Sequence, residues 1–435
     1  MVTKDARPNG QKPELMAPAG DRVGLMAALD AGADAVYFGI GTFNMRANAG
    51  NFSLRQLPEI VSIIHQARAR AYLTLNTLML PQDLQTLRRT VKEASEAGVD
   101  AIIAWDFAAI DLARQAGLQV FVSTQMSVAN HQAILFFYRT LGIRRFVLAR
   151  ECSLADIRSI RRSLREELGE AAAHLELEVF VHGAMCLSMS GRCQLSQFHF
   201  GTSANRGLCR QPCRREFTVT ETRDQHSFQV GSHYILSPKD ICTLPFLEKL
   251  LSAGINSLKI EGRQRAPEYV AIVTRAYRRI IDLWYDSPRT PKFKQCFAEA
   301  KEEEMRKLEQ VFHRGFSSGF YLGKPLDAWN RKGGSEASHR KHYLGLVENY
   351  FKKLGVASIS LEGGSIAIGD EIMIHGPTTG VKAGVISSIQ EDGKPLDHAA
   401  KGTSVGIAFP HLVRGGDKVY RLIPLLEKQA QTATD

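Results

Sequence analysis

Residues 29–40 read LDAGADAVYFGI, and residues 96–105 read EAGVDAIIAW. In each, an amphipathic stretch ends on a glycine (Gly32, Gly98), an aspartate follows two residues later, and a short apolar run begins. Glycine just past a helix accepts the left-handed backbone of a C-cap. A short apolar run without alternation suits a strand buried on both faces of a parallel sheet. Ala31–Ala35 and Ala97–Ala101 are therefore two copies of one helix-to-strand joint.

Outward from these joints the same rhythm repeats. The apolar runs are Leu15–Ala17, Ala35–Ile40, Ala71–Leu75, Ala101–Trp105, Gln119–Val122, Arg145–Ala149, Leu177–Val181 and Ser257–Ile260. Eight strands separated by helical patterns are the count of a TIM barrel, so the expected fold is α/β, a (β/α)8 barrel over 13–285. Only the seventh crossover breaks the rhythm, with about 75 residues between Val181 and Ser257, far above a usual βα loop. Leu236–Ala253 predicts the helix ahead of strand eight. The stretch 183–235 predicts a Cys-rich insertion at the C-terminal end of strand seven, the catalytic face of such a barrel. Residues 286–340 are charged, with a helix expected at Phe297–Phe312. His342–Leu346, Val356–Leu361, Glu371–Ile374, Lys382–Ile389, Ser404–Phe409 and Lys418–Leu422 are separated by Gly, Asp and Pro turns. They predict a small C-terminal all-β barrel at 341–425.

The 435 residues are 44% apolar and 23% charged, which excludes disordered, collagen-like and disulfide-scaffold classes. Lys plus Arg exceed Asp plus Glu by 55 to 45, giving a charge of +10 that fits a polyanionic partner such as RNA. Met1–Lys12 is polar, and no run of about 18 apolar residues occurs. No signal peptide and no membrane partner are expected, and the localisation expected is cytoplasmic, where thiols stay reduced.

Four of the seven cysteines, Cys186, Cys193, Cys209 and Cys213, share one window with gaps of six, fifteen and three residues. Four thiolates close either a zinc or an iron–sulfur site, and the gaps alone do not choose between them. Ser188, Ser190, Gly191 and Gly207 are small enough to let backbone N–H groups approach sulfur. Arg192, Arg206, Arg210, Arg214 and Arg215 are candidates to offset thiolate charge. Cys152, Cys242 and Cys296 stand apart and are expected to be ordinary buried thiols.

Glu178–Cys193, EVFVHGAMCLSMSGRC, closely resembles the signature of the collagenase-like peptidase U-32 family. NRGLCRQPCR (Asn205–Arg214), LKIEGR (Leu258–Arg263) and FHRGFSSGF (Phe312–Phe320) resemble its later motifs, and the likeness runs over about residues 13–425. Members are commonly described as peptidases. Better-understood branches hydroxylate a tRNA wobble uridine, a cytidine of large-subunit ribosomal RNA, or ubiquinone precursors. The resemblance implies a [4Fe-4S] cluster on Cys186, Cys193, Cys209 and Cys213, and prephenate as oxygen donor in the RNA branches. Thr202–Gly207 and Phe38–Asn51 look like the ribosomal branch, whereas the overall length looks like the tRNA branch. The expected function is thus iron–sulfur-dependent 5-hydroxylation of a pyrimidine in tRNA or 23S rRNA, with RNA and not DNA as partner.

Arg46, Asn76, Gln125, Arg150, Glu151, His182, Lys259, Glu261 and Arg263 fall at predicted C-terminal strand ends, where barrel enzymes place their active sites. His182, Glu151 and Glu261 are the acid–base candidates. Arg46, Asn76, Gln125, Arg150, Lys259 and Arg263 are the substrate-binding candidates, the arginines because their forks fit carboxylates. Pairing of Arg150 or Arg263 with Glu151 or Glu261 is the structural alternative. Two other functions compete. A peptidase would use Cys186 with His182, although H-E-x-x-H and G-x-S-x-G are both absent from the sequence. A scaffold subunit of a hydroxylation complex would carry a structural cluster. Arg158, Arg161, Arg162 and Arg165 form one helical stripe and are expected to be a solvated face.

Overall fold

A computed structural model describes residues 11–425, apart from 42, 48, 221, 224–226, 230–233, 235, 326, 327 and 331. The polar leader read from Met1–Lys12 therefore lies almost wholly outside the described residues.

The eight runs fold as strands. They are β1 (Glu14–Ala19), β2 (Ala35–Gly39), β3 (Arg70–Leu75), β4 (Ala101–Ala104), β5 (Gln119–Val122), β6 (Arg145–Val147) and β7 (Glu176–Gly183). After the insertion strands β8 (Thr218–Thr220), β9 (Ser227–Gln229) and β10 (Asp240–Cys242) comes the eighth, β11 (Ser257–Ile260). β1 to β7 pair in sequence order, all parallel, and β11 pairs with both β7 and β1, so the barrel closes. α1 (Arg22–Asp30), α2 (Leu57–Gln66), α3 (Leu84–Glu96), α4 (Phe107–Gln115), α5 (His131–Leu141) and α6 (Leu154–Leu168) follow the first six strands. Gly32, Gly98 and Gly142 take positive φ at the helix ends (86°, 78° and 67°), as the opening motif requires.

Alternation sorts each strand into two layers. Leu15, Val36, Phe38, Leu73, Ile102 and Leu258 point outward into the shell shared with the helices. Met16, Tyr37, Tyr72, Ile103 and Phe121 point inward and pack on one another. On β6, β7 and β11 the inward positions are instead Arg145, Glu178 and Lys259. Glu178 is fully buried and takes 2.9 Å bonds from Arg145 Nε and Lys259 Nζ. Arg145 also pairs with Glu14 and lies over the Phe121 ring. Three neighbouring strands thus carry a charged layer inside the barrel, held because every member is partnered.

Between β7 and β11 the chain departs from expectation. Leu236–Ala253 is not one helix. Pro238 and Pro245 interrupt it, leaving β10 antiparallel to β7, a 3-10 turn at Leu244–Phe246, and a five-residue α8 (Leu247–Leu251). The insertion ahead of it carries α7 (Leu195–Phe200) and several 3-10 turns. After β11, α9 (Pro267–Asp286) and α10 (Phe293–Leu308) complete the wall, and β12 (Phe316–Ser317) adds to β10.

The C-terminal part is all-antiparallel. It comprises β13 (His339–Phe351), β14 (Val356–Leu361), β15 (Ile366–Ala367), β16 (Glu371–Gly376), β17 (Gly380–Val385), β18 (Ile389–Glu391), β19 (Lys394–Leu396), β20 (His398–Ala399), β21 (Ser404–Ala408) and β22 (Lys418–Pro424). The main sheet runs β17-β16-β22-β13-β14-β21-β18-β19 over its own apolar core. The single strand expected at Lys382–Ile389 is divided between β17 and β18. The unit docks on the outer wall: Gly380 sits against the α1 backbone, where a side-chain carbon would meet Met26 at 3.1 Å. Lys341 pairs with Glu268 of α9 at 2.8 Å.

Candidate active site

Loops at the C-terminal strand ends bring Arg46, Arg150, Glu261 and Arg263 together above the Lys259–Glu178 pair of the barrel interior. Arg46, in the loop after β2, donates from Nη2 to Glu261 Oε1 at 2.9 Å, and Arg150 Nη2 lies 3.8 Å from Glu261 Oε2. Arg263 Nη1 donates to Asn44 Oδ1 and Thr74 Oγ1, both at 2.9 Å. Lys259 is committed to Glu178, so Glu261 is left to Arg46 and Arg150, with the charge of Arg263 acting on it from nearby. Burial works to raise the Glu261 pKa, but the three arginines outweigh it and hold the group at about 2. Burial lowers Arg263 to about 10, and its Nε, like that of Arg150, is buried without a hydrogen-bond partner. The result is a positively biased pocket with two unspent guanidinium N–H groups, suited to a small anion.

Two neutral groups complete the wall. Asn76 Oδ1 accepts from the Met45 N–H at 3.2 Å and so orients the loop bearing Arg46. Gln125 is buried and accepts from the Ser123 hydroxyl. Both line the same cavity, of about 90 Å3, as do Arg46, Arg150, Lys259 and Arg263.

The insertion closes this cavity from above. Cys186, Cys193, Cys209 and Cys213 all line it, each half-buried. Burial pushes the Cys213 thiol up to about 11; Arg214 opposes this, and Cys186, Cys209 and Cys193 add to it, so the four sulfurs share one electrostatic neighbourhood. The Leu195 N–H lies 3.4 Å from Cys193 Sγ, a donor to sulfur of the kind thiolate sites use. Among the described residues no three His, Cys, Asp or Glu side chains converge on one point as a single ion requires; the thiols ring a cavity instead.

Two of the contacts that pin the insertion lie close to the cysteines. Glu151 accepts from both Ser190 N and Ser190 Oγ at 2.8 Å, tying the turn between Cys186 and Cys193 to the end of β6. Gly207 (φ 86°) lies against the loop after β2, where a side-chain carbon would meet Asn44 O at 2.3 Å. This close approach is the reason for glycine there, next to Cys209.

The sequence matches the family described as Peptidase family U32 over residues 20–331. The chain belongs to peptidase family U32. It is 39% identical over 415 residues to a collagenase of Porphyromonas gingivalis, covering 94% of this chain and 97% of that one. It is 31% identical over 396 residues to tRNA hydroxylation protein P1 of Bacillus subtilis, covering 89% and 90%. It is 32% identical over 333 residues to the 23S rRNA 5-hydroxycytidine C2501 synthase of Escherichia coli, covering 77% of this chain and 48% of that one.

Several expectations change in this U32 chain. His182 is not at the barrel mouth. The β7–β11 register shifts between Lys259 and Ile260, so His182 aligns with the outward Ile260 and not with an inward position. It is fully enclosed against Tyr269, Tyr277 and Phe316, with Nδ1 3.4 Å from the Tyr277 hydroxyl. Burial, then His313 and Arg265, lower its pKa to about 3. A Cys186–His182 dyad is therefore not formed, and among the described residues lining the cavity there is no histidine. Glu151, the other acid–base candidate besides Glu261, spends both oxygens on Ser190.

The basic residues also divide. Arg206 clamps Asp83 and Leu78 O, and Arg214, half-buried, donates to Met185 O at 2.6 Å as a brace. Arg161 is no solvated stripe residue; it reaches Gly254 O and Leu175 O, both at 2.8 Å. Cys152 and Cys242 are buried as expected, whereas Cys296 on α10 is exposed. Among the described residues, no helix is long and apolar enough to cross a membrane.

Asn44, Thr74 and Glu178 escaped the sequence reading. Glu178 had a signal, a lone carboxylate inside the apolar run Leu177–Val181. Asn44 and Thr74 had none, because their importance comes from Arg263, far away in sequence.

Proposed function

We propose that this chain is an iron–sulfur enzyme that hydroxylates C5 of a pyrimidine in tRNA or ribosomal RNA, with a dianionic donor of the prephenate type as oxygen source. The observation that carries the reading is the meeting of an all-thiol donor set with an arginine-rich pocket in one cavity. A [4Fe-4S] group held by Cys186, Cys193, Cys209 and Cys213 would supply Lewis-acid or one-electron chemistry there. Arg46, Arg150 and Arg263 bind and orient the donor's carboxylates; Glu261 keeps the three guanidinium groups folded together when no donor is present. Asn76 and Gln125 offer neutral hydrogen bonds that fix the donor's orientation. The insertion covers the pocket and limits water. Relatives named for tRNA and rRNA hydroxylation, together with the charge of +10, support RNA as the substrate.

The relative named as a collagenase favours a second reading, a peptidase. Among the described residues lining the pocket there is neither a histidine beside Cys186 nor a carboxylate free of partners to activate water, which weighs against it. Anaerobic purification followed by iron and sulfide assay separates the two. The hydroxylation reading expects about four of each per chain, lost on Cys186→Ala. Peptide cleavage by iron-free protein would instead establish the peptidase.

A further inference from the structure

The segment Phe312–Phe320 has no role in the pocket described above, yet it helps wall a second cavity. This groove, about 420 Å3, shares Arg150, Cys186, Leu187 and Ser188 with the first. Its other walls are largely apolar and include Met185, Pro238, Phe320 and Trp329. A volume near the lower end of the usual range for ligand sites suits one planar ring and its sugar.

Trp329 is the unusual member. Its backbone is fixed on both sides: the Asn330 N–H donates to Ser237 O at 2.8 Å and the Lys239 N–H to Ala328 O at 2.7 Å. Arg214 braces that partner strand through Ser237 Oγ at 2.7 Å and Pro238 O at 2.6 Å. The indole nevertheless stays 40% exposed. An aromatic face on a rigid backbone, open to solvent at an apolar groove, costs the molecule hydration and is used where planar ligands stack. Lys324, exposed on the same wall, supplies a cation at the rim for a phosphate. A peptide would need backbone donors and acceptors along the groove, whereas the walls here offer ring faces and a polar end at Arg150, Ser188 and Glu151, whose carboxylate is taken up by Ser190.

We propose that this groove receives one unstacked pyrimidine nucleotide of the RNA, its ring on the Trp329 indole and its edge toward the wall formed by Arg150, Cys186 and Ser188. The inference rests on the RNA reading above and adds the place where the base is held. Bases within a duplex cannot reach such a groove, so a loop or single strand is the form recognised. The shared wall lets base and donor anion occupy adjoining spaces at once.

The test uses the full anaerobic chain and a short single-stranded pyrimidine RNA carrying one 5-iodouridine, with iron content and prephenate affinity measured in parallel. Trp329→Ala is expected to weaken RNA binding roughly ten-fold or more, and Trp329→Phe by no more than about three-fold. Iron content and prephenate affinity should stay unchanged in both. In the wild-type chain, irradiation should crosslink the iodouridine to Trp329, a readout independent of how the variants fold. RNA binding unaltered by Trp329→Ala, or a crosslink confined to other residues, overturns the groove while leaving the RNA reading intact. Failure of the wild-type chain to bind any RNA overturns both.

Discussion

Glu261 is the residue on which the anion pocket balances. Its carboxyl titrates near 4.5 when free and near 2 in the folded chain, so the unfolded chain takes up the proton more readily. The stabilisation is complete above pH 4.5 and is lost as pH falls toward 2, about 3 kcal/mol by the shift alone. Glu261→Gln should remove that pH-dependent part, so urea midpoints of variant and wild type should converge at low pH and diverge above 4.5. His182 gives a second window. Its pKa is depressed from 6.5 to about 3, so neutral His182 stabilises the fold above 6.5, and that stability falls as pH drops through this range. His182→Gln should flatten the window and leave RNA hydroxylation within about three-fold, since the ring faces α9. A loss of a hundred-fold or more, with one limb missing from the pH–rate profile, would return His182 to the chemistry.

At the scale of elements, the eight strands were legible because apolar runs and glycine caps are local signals. The gathering of Cys186, Cys193, Cys209 and Cys213 at one cavity was equally legible, since clustering is visible in one window. The orientation of His182 was not: it depends on one extra residue in β7 relative to β11, a property of pairing between strands rather than of either strand. The helix expected at Leu236–Ala253 failed for a readable reason, the prolines at 238 and 245, outweighed in the sequence by the leucines around them. Glu151 shows the same limit, because nothing near it predicts Ser190 as its partner. Releasing that clamp with Glu151→Ala should increase proteolysis within residues 184–217 and lower iron content, with the barrel's thermal midpoint within about 3 °C of wild type. Equal protease resistance and full iron content would remove Glu151 from the seating of the insertion. Gly207→Ala should act more strongly, because the added carbon meets backbone at Asn44 O and the φ is positive. A cost of about 1–3 kcal/mol in the denaturant midpoint is expected.

Taken as a whole molecule, the chain places its cavity at one end of a closed barrel, covers it with the insertion, and docks the C-terminal sheet on the flank formed by α1 and α9. The charge of +10 predicts an RNA affinity that falls steeply with salt; a flat dependence between low and physiological salt would argue against a polyanionic partner. Mass spectrometry of nucleosides tests the reaction itself. RNA from cells lacking this chain is incubated anaerobically with purified protein and prephenate, then digested. Hydroxylation by this chain predicts that 5-hydroxypyrimidine, absent from the untreated RNA, appears with the wild-type chain and not with Cys186→Ala or Arg263→Ala. Unchanged 5-hydroxypyrimidine in tRNA and rRNA of the deleted cells, with none formed in the reaction, would contradict it.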